Sequence, residues 1–312
     1  GPTMERRLMT RTIVFFLIAA CVALAGCEAS SVATVPATLG TVAERSAMTG
    51  VTATGPVVLE KRVAATWEVP LSGLLNLEHP KAVAAGIEDR SEPIEVYVYV
   101  LRHPTAGTYI VDSGISERFT YEGGNPDVSS IVAMAMNTEL LAVKQSTADL
   151  DAELGGIDGV FLSHIHIDHI MGLADLPPET PVYIGPGDAS FTAALNAFSQ
   201  GTTDRLLGVQ GQLREWQYGG DKVLDLFGDG SVFAIHSPGH TPGSTAYLVM
   251  STEGPQLLLG DATHTRWGWE NGVEPGTFSA DIPLSAASLD WLVQLAEDIP
   301  GIKVHPGHQS LR

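Results

Sequence analysis

Cysteine is almost missing from this sequence. Two occur in 312 residues, Cys21 and Cys27, both near the N-terminal end. The body of the chain therefore has no disulfide framework and no thiolate metal site. Positive charge is also scarce, 17 Lys and Arg against 36 Asp and Glu, for a net charge of −19. Such a surface repels phosphate backbones and anionic headgroups, which argues against nucleic acid as a partner. Long apolar runs are missing too. The longest, residues 13–26, is short for a membrane span.

What is present at the N-terminus has its own pattern. Gly1-Pro2-Thr3 precede Met4 and read as an expression scar. Arg6, Arg7 and Arg11 then lead into the apolar run, the order of a secretory signal. The run ends in Leu24-Ala25-Gly26-Cys27, which resembles a bacterial lipobox, where the cysteine is lipidated and becomes the new N-terminus. The expectation is an exported cell-envelope protein, facing the periplasm or the outside. It would touch the membrane only through a lipid on Cys27. Residues 28 to 62 are rich in Ala, Ser, Thr, Val and Gly, with no aromatic residue and little periodicity. They read as a flexible tether. The expected organisation is a signal peptide with its scar over 1–26, a lipidated N-terminus and tether over 27–62, and one domain over 63–312.

From residue 63 onward, strand patterns alternate with helical ones. IEVYVYVL (94–101) places Ile94, Val96, Val98 and Val100 on one face, a half-buried strand, and TYIV (108–111) pairs back across the HPTAG turn. Short apolar runs at 159–162, 182–185, 231–235, 246–250, 256–260 and 302–304 predict further strands. SAASLDWLVQLAEDI (285–299) carries a stripe of Leu289, Leu292, Val293, Ala296 and Ile299, and DASFTAALNAF (188–198) predicts a helix capped by Asp188. Two sheets packed between helices satisfy this order.

Four of these strands run directly into metal-ligand side chains. GVFL leads to Ser163, His164, His166, Asp168 and His169; SVFAI leads to His240; QLLLG leads to Asp261; IKV leads to His305 and His308. Loops at strand ends on a rigid sheet are where sites are built. Any one of these histidines could be a capping or core residue, but jointly they form two ligand sets. His164, His166 and His240 make one, Asp168, His169 and His308 the other, and Asp261 has two oxygens with which to bridge them. Imidazole and carboxylate suit zinc, iron, manganese or cobalt. His305, three residues from His308, could take its place. Asp112, in VDSG, reads as a turn residue that hydrogen-bonds near the ligands, and Gly243 as a tight turn.

HIHIDH is similar to the HxHxDH signature of the metallo-β-lactamase superfamily. DSG before it, and PGHTPGS, LLLGD and a final PGH after it, stand in that family's order, so the resemblance spans about residue 90 to the end. It implies an αββα sandwich, two mixed sheets flanked by helices. It also implies one metal at His164, His166 and His240, a second at Asp168, His169 and His308, and Asp261 as bridge. The cofactor would be two divalent ions, zinc foremost. His308 fits the final PGH, which leaves His305 a supporting part.

Within that family, DATHTRWGWE (261–270) most resembles the N-acyl-homoserine lactonase branch. There a tyrosine often stands three positions after the bridging aspartate, and here that position is His264. The resemblance implies a small-molecule lactone substrate, attacked by a metal-bridging hydroxide. Asp168 would relay the proton, His264 would donate a hydrogen bond, and Trp267, Trp269 and Phe278 would line an apolar wall. An organophosphate triesterase or arylesterase on the same site is the alternative, and a non-catalytic, metal-holding envelope lipoprotein is another. The oligomeric state is left open, a homodimer being one outcome.

Overall fold

A computed structural model describes residues 27–50, 54–120, 125–208 and 212–311, so the expected signal at 1–26 lies outside the described residues. The first sheet contains eight strands: β1 (Thr34–Pro36), β3 (Val58–Pro70), β4 (Ser91–His103), β5 (Gly107–Val111), β6 (Ala142–Val143), β7 (Gly159–Phe161), β8 (Val182–Ile184) and β9 (Leu213–Glu215). Their spatial order is β1-β9-β8-β7-β5-β4-β3-β6. The second sheet contains β2 (Thr41–Ala43), β10 (Val223–Asp225), β11 (Val232–His236), β12 (Thr245–Ser251), β13 (Gly254–Leu258) and β14 (Lys303–His305), in the order β14-β13-β12-β11-β10-β2. Both sheets are mixed: β5, β7 and β8 run parallel, as do β13 and β14, while β3–β4–β5 and β10–β13 are antiparallel.

Alternation along β4 shows how the layers form. Val96, Val98 and Val100 join a core with Ile110, Val160, Leu162 and Ile184. Tyr97, Tyr99 and Leu101 point the other way, into a core shared with Tyr247, Val249 and Leu258 of the second sheet. The strand is thus buried on both faces rather than half-buried, because helices cover one side of its sheet and the second sheet covers the other. The far face of the second sheet, with Phe233, Ile235, Leu248 and Leu257, packs under Leu292 and Leu295. These two leucines lie on the Ile282–Glu297 helix, whose Asp281 side chain caps it by accepting from Leu284 N. The result is an αββα sandwich.

The layer between the sheets is built from aromatic rings. Phe161 stacks on Tyr109 at 4.8 Å and lies 5.6 Å from Trp216 and 5.9 Å from Tyr247. Their polar atoms are satisfied internally: Trp216 Nε1 donates to Tyr247 Oη at 3.2 Å, and Tyr247 Oη donates to Leu162 O at 2.8 Å. Burying a hydroxyl without such a partner is costly.

Two expectations are corrected. Residues 27–50 are part of the domain, not a tether. β1 pairs in parallel with β9, and β2 pairs antiparallel with β10, so this stretch supplies an edge strand to each sheet. Ala29 N and Ser30 N donate to Phe191 O and Ala189 O, both at 3.0 Å, and Asp204 accepts from Ser30 and Ser31. Three-residue edge strands are held by backbone hydrogen bonds, which leave no apolar periodicity to read. The second correction concerns 188–198. The helix is Asn196–Gly208, and Asp188 lies buried at the site rather than at a helix start.

Deleting residues 27–45 should therefore lower the thermal midpoint and raise light scattering, since it strips the edges of both sheets. An unchanged midpoint on calorimetry would restore the tether.

Candidate metal centre

The strand ends converge. β7 runs into Ser163 and His164, and His166 precedes the short Ile167–Ile170 helix that carries Asp168 and His169. β13 runs into Asp261 through Gly260, whose φ of +53° turns the chain where an added Cβ would meet Ser163 Cβ at 2.7 Å. His240 follows β11, and His308 follows β14. His164, His166, His240 and Asp261 bring one donor atom each to within 4.8 Å of one another. Asp168, His169, Asp261 and His308 do the same. Asp261 belongs to both groups. His305 does not reach them; its Nε2 pairs with Gln256 Oε1 at 2.8 Å.

The outer nitrogens are anchored one by one. His169 Nδ1 donates to Asp112 Oδ2 at 2.8 Å, His308 Nδ1 to Glu95 O at 2.8 Å, and His264 Nδ1 to Leu74 O at 2.9 Å. Carbonyls and carboxylates only accept, so the Nδ1 atoms carry the hydrogens. Ser163 Oγ donates to Asp112 Oδ2 and so accepts from His164 Nδ1 at 3.0 Å. His240 Nδ1 meets Ser279 Oγ at 3.0 Å. Every one of these rings then turns Nε2 towards Asp261. The distances to its carboxylate oxygens are 3.2 Å from His169, His264 and His308, and 3.4 Å from His164 and His240.

Electrostatics follow from this enclosure. Burial pushes Asp261 up, but the surrounding His308, His169, His264 and His164 outweigh it and hold the carboxyl well below its usual range. Burial lowers His164, with His169 adding to it, and lowers His166 to about 3. His308 is raised to about 10 despite burial, because Asp261 and Asp168 face it.

A pair of divalent cations fits these residues. His164 Nε2, His240 Nε2 and Asp261 Oδ1 are buried and make no hydrogen bond. Lone pairs turned towards one another at 3.2–3.4 Å need a cation between them. Asp168, 15% exposed, and the half-buried His166 mark the edge open to solvent.

Some expected roles change. His264 donates its Nδ1 hydrogen to Leu74 O rather than to the site, and turns Nε2 to Asp261. Trp267 and Trp269 do not share a wall: Trp267 packs with Trp67, Leu74 and Val273, and Trp269 packs beneath the second sheet with Leu292 and Leu295. Phe278 is 43% exposed and lies over Gly73. Gly243 has no left-handed backbone; an added Cβ would meet Asp188 Cβ at 2.7 Å, so it serves close packing. Asp112 does take a left-handed turn, φ 59°, and holds His169.

Asp188 is a site residue the sequence did not announce. Its oxygens accept from Ile165 N at 3.0 Å and Gly243 N at 2.7 Å, tying the loop of His164 and His166 to the loop of His240. Nothing in the local pattern marks it, since both partners are backbone atoms from distant loops. A cleft of about 590 Å³ beside His308 was equally hidden; Trp67, Ile94, Leu140 and Arg266 are among its walls.

Two outcomes test this geometry. Asp112→Ala should weaken metal affinity about 10–100-fold in a chelator titration, the usual cost of losing a carboxylate behind a ligating imidazole; unchanged affinity would remove Asp112 from the scheme. Burial raises Asp188 to about 6, above its ordinary 3.8. The folded state then keeps the proton over a window where the unfolded chain has lost it. Stability should fall by about 2 kcal/mol between pH 4 and 6.5, relative to Asp188→Asn. Denaturant unfolding of both metal-free proteins across that range checks it, and a constant difference would count against it.

Comparison with known proteins agrees with this geometry. The family described as the metallo-beta-lactamase superfamily matches residues 92–308. The N-acyl homoserine lactonase AttM of Azorhizobium caulinodans is 28% identical over 220 residues, covering 69% of this chain and 82% of that protein. The crystal structure of a quorum-quenching N-acyl homoserine lactone lactonase superposes with a TM-score of 0.58 at 17% identity, over 82% of this chain and 93% of that one. AidC, a dizinc quorum-quenching lactonase, superposes with a TM-score of 0.53 at 17% identity, over 82% and 88%. With the family match covering most of the chain and the strand ends meeting around one shared aspartate, this protein belongs to the metallo-beta-lactamase superfamily.

Proposed function

We propose that the protein is a dinuclear metal hydrolase that opens N-acyl-homoserine lactones. The observation that carries this is Asp261, shared between two buried donor groups whose partly exposed members are His166 and Asp168. The relatives named as lactonases support the substrate class. When bound, two divalent ions supply an acidified water as nucleophile and Lewis acidity at the carbonyl. Zinc is the first choice, with iron, manganese or cobalt suited to the same donors.

The chain's own residues do the rest. Asp112, Ser163, Ser279 and Glu95 O orient the imidazoles through Nδ1. Asp168 is held ionised: burial pushes it up, and His169 and His308 bring it well below the usual range. Its partly exposed carboxylate accepts the proton of the attacking water and passes it to the leaving ring oxygen. The cleft beside His308, with Trp67, Ile94 and Leu140, takes the acyl chain in place of the expected Trp269.

The basic start, the apolar run and Leu24-Ala25-Gly26-Cys27 support export and lipidation at Cys27. Cys27 O accepts from Ala193 N at 3.2 Å and Asn196 Nδ2 at 3.1 Å, so a lipid there would hold the domain directly at the membrane. Among the described residues no helix is long and apolar enough to cross one.

The metal-loaded protein from residue 28 onward should hydrolyse acyl-homoserine lactones with kcat/KM at least about 100-fold above an aryl ester, a phosphotriester or a cephalosporin, and chelation should abolish it. A phosphotriester or aryl-ester preference would overturn the substrate class. Metal content of two without hydrolysis of any substrate would favour a metal-holding protein. His169→Ala should lose metal and cut turnover about a hundredfold or more.

A further inference from the structure

We propose that His264 is itself a metal ligand, an eighth donor to the pair of ions. The inference rests on the two-metal part of the reading above and is independent of the substrate. His264 is 2% exposed, and its ring is fixed at both ends. Nδ1 donates to Leu74 O at 2.9 Å, which leaves Nε2 facing the site. That nitrogen lies 3.2 Å from Asp261 Oδ2, the same separation as the ligand His169 and shorter than those of His164 and His240.

The distance is that of two ligands on one ion. Metal–donor bonds of about 2.0–2.2 Å at ordinary ligand angles leave neighbouring donors about 3.0–3.4 Å apart. The neighbours agree with ligation. The His264 ring meets that of His240 edge-on at 4.9 Å and stacks on that of His308 at 5.6 Å. It closes the gap between one ligand from each group. The arrangement of Nδ1 outward to a protein oxygen and Nε2 inward to Asp261 is the one shared by His164, His169, His240 and His308.

Two consequences follow. His264 fills the gap between His240 and His308, so the His166–Asp168 edge is the one left open for the reacting carbonyl. An eighth donor also raises one ion's shell to five protein ligands, a number that zinc reaches as well as iron, manganese or cobalt.

Long-range proton–nitrogen NMR of the histidine rings, on zinc-loaded protein from residue 28 onward, reads this in the wild type. His264 Nε2 should resonate as a metal-bound nitrogen. In parallel, His264→Gln and His264→Ala should weaken one of two ions roughly tenfold or more in a chelator competition. The weak visible absorption of the cobalt-loaded protein should intensify in both as coordination number falls. A bare or protonated His264 Nε2 in the zinc-loaded wild type would overturn the proposal, as would variants that hold both ions with unchanged affinity and spectrum. The wild-type spectrum decides even if a variant fails to fold. Ligated His264 without lactone hydrolysis would sink the lactonase reading and leave this one standing; lactone hydrolysis with unligated His264 would do the reverse.

Discussion

Asp261 is a carboxylate removed from water at the seam of two sheets. Burying an ionised group alone costs many kcal/mol, and the cost is met only by opposite charge and close donors. Five imidazoles aim Nε2 at the same two oxygens, and the cations held between them would supply that environment. Without the cluster the carboxylate could not stay ionised there, and without the carboxylate the histidines would crowd one another with nothing to face. The four strand ends, the sharp turn at Gly260 and the aromatic layer beneath them all serve to hold that one group in place.

The rigidity of the cluster comes from behind it. Asp112 and Asp188 are both buried and neither belongs to a donor group. Asp112 fixes the rings of His169 and, through Ser163, His164. Asp188 fixes the backbone of two ligand loops. Such supporting contacts set ligand direction to a fraction of an ångström, which is the precision metal chemistry demands. The stacked rings of Phe161, Tyr109, Trp216 and Tyr247 keep the two sheets at a constant spacing beneath them.

The N-terminal segment joins the two sheets. β1 closes one edge and β2 closes the edge of the other, so both edges are covered by one short stretch of chain. This protects exposed backbone groups that would otherwise pair with another copy. It also brings Cys27 onto the surface of the domain itself, beside Ala193 and Asn196.

Much of the site was legible in the sequence because the chemistry is local to strand ends. HIHIDH places four donors within six residues, and each remaining ligand follows an apolar run, so residue type and order were enough to name the seven donors and the sandwich. The tether was misread because β1 and β2 owe their structure to partners about 180 residues away, and backbone pairing leaves no side-chain pattern. Asp188, Glu95 O and Leu74 O were invisible for the same reason: their roles are contacts between loops far apart in the chain. His264 was visible as a residue, but which of its nitrogens faces the site was not. Which nitrogen of an imidazole carries the hydrogen depends on what its other nitrogen touches, and only the tertiary structure brings Leu74 O to it. The sequence by itself determined the donors, the fold class and the acidity of the surface, because these depend on residue identity and local period. The folded chain decided which nitrogen of each ring turns to Asp261, which aromatics are core and which edge of the site is open to solvent, because those depend on distances between segments that the sequence keeps apart.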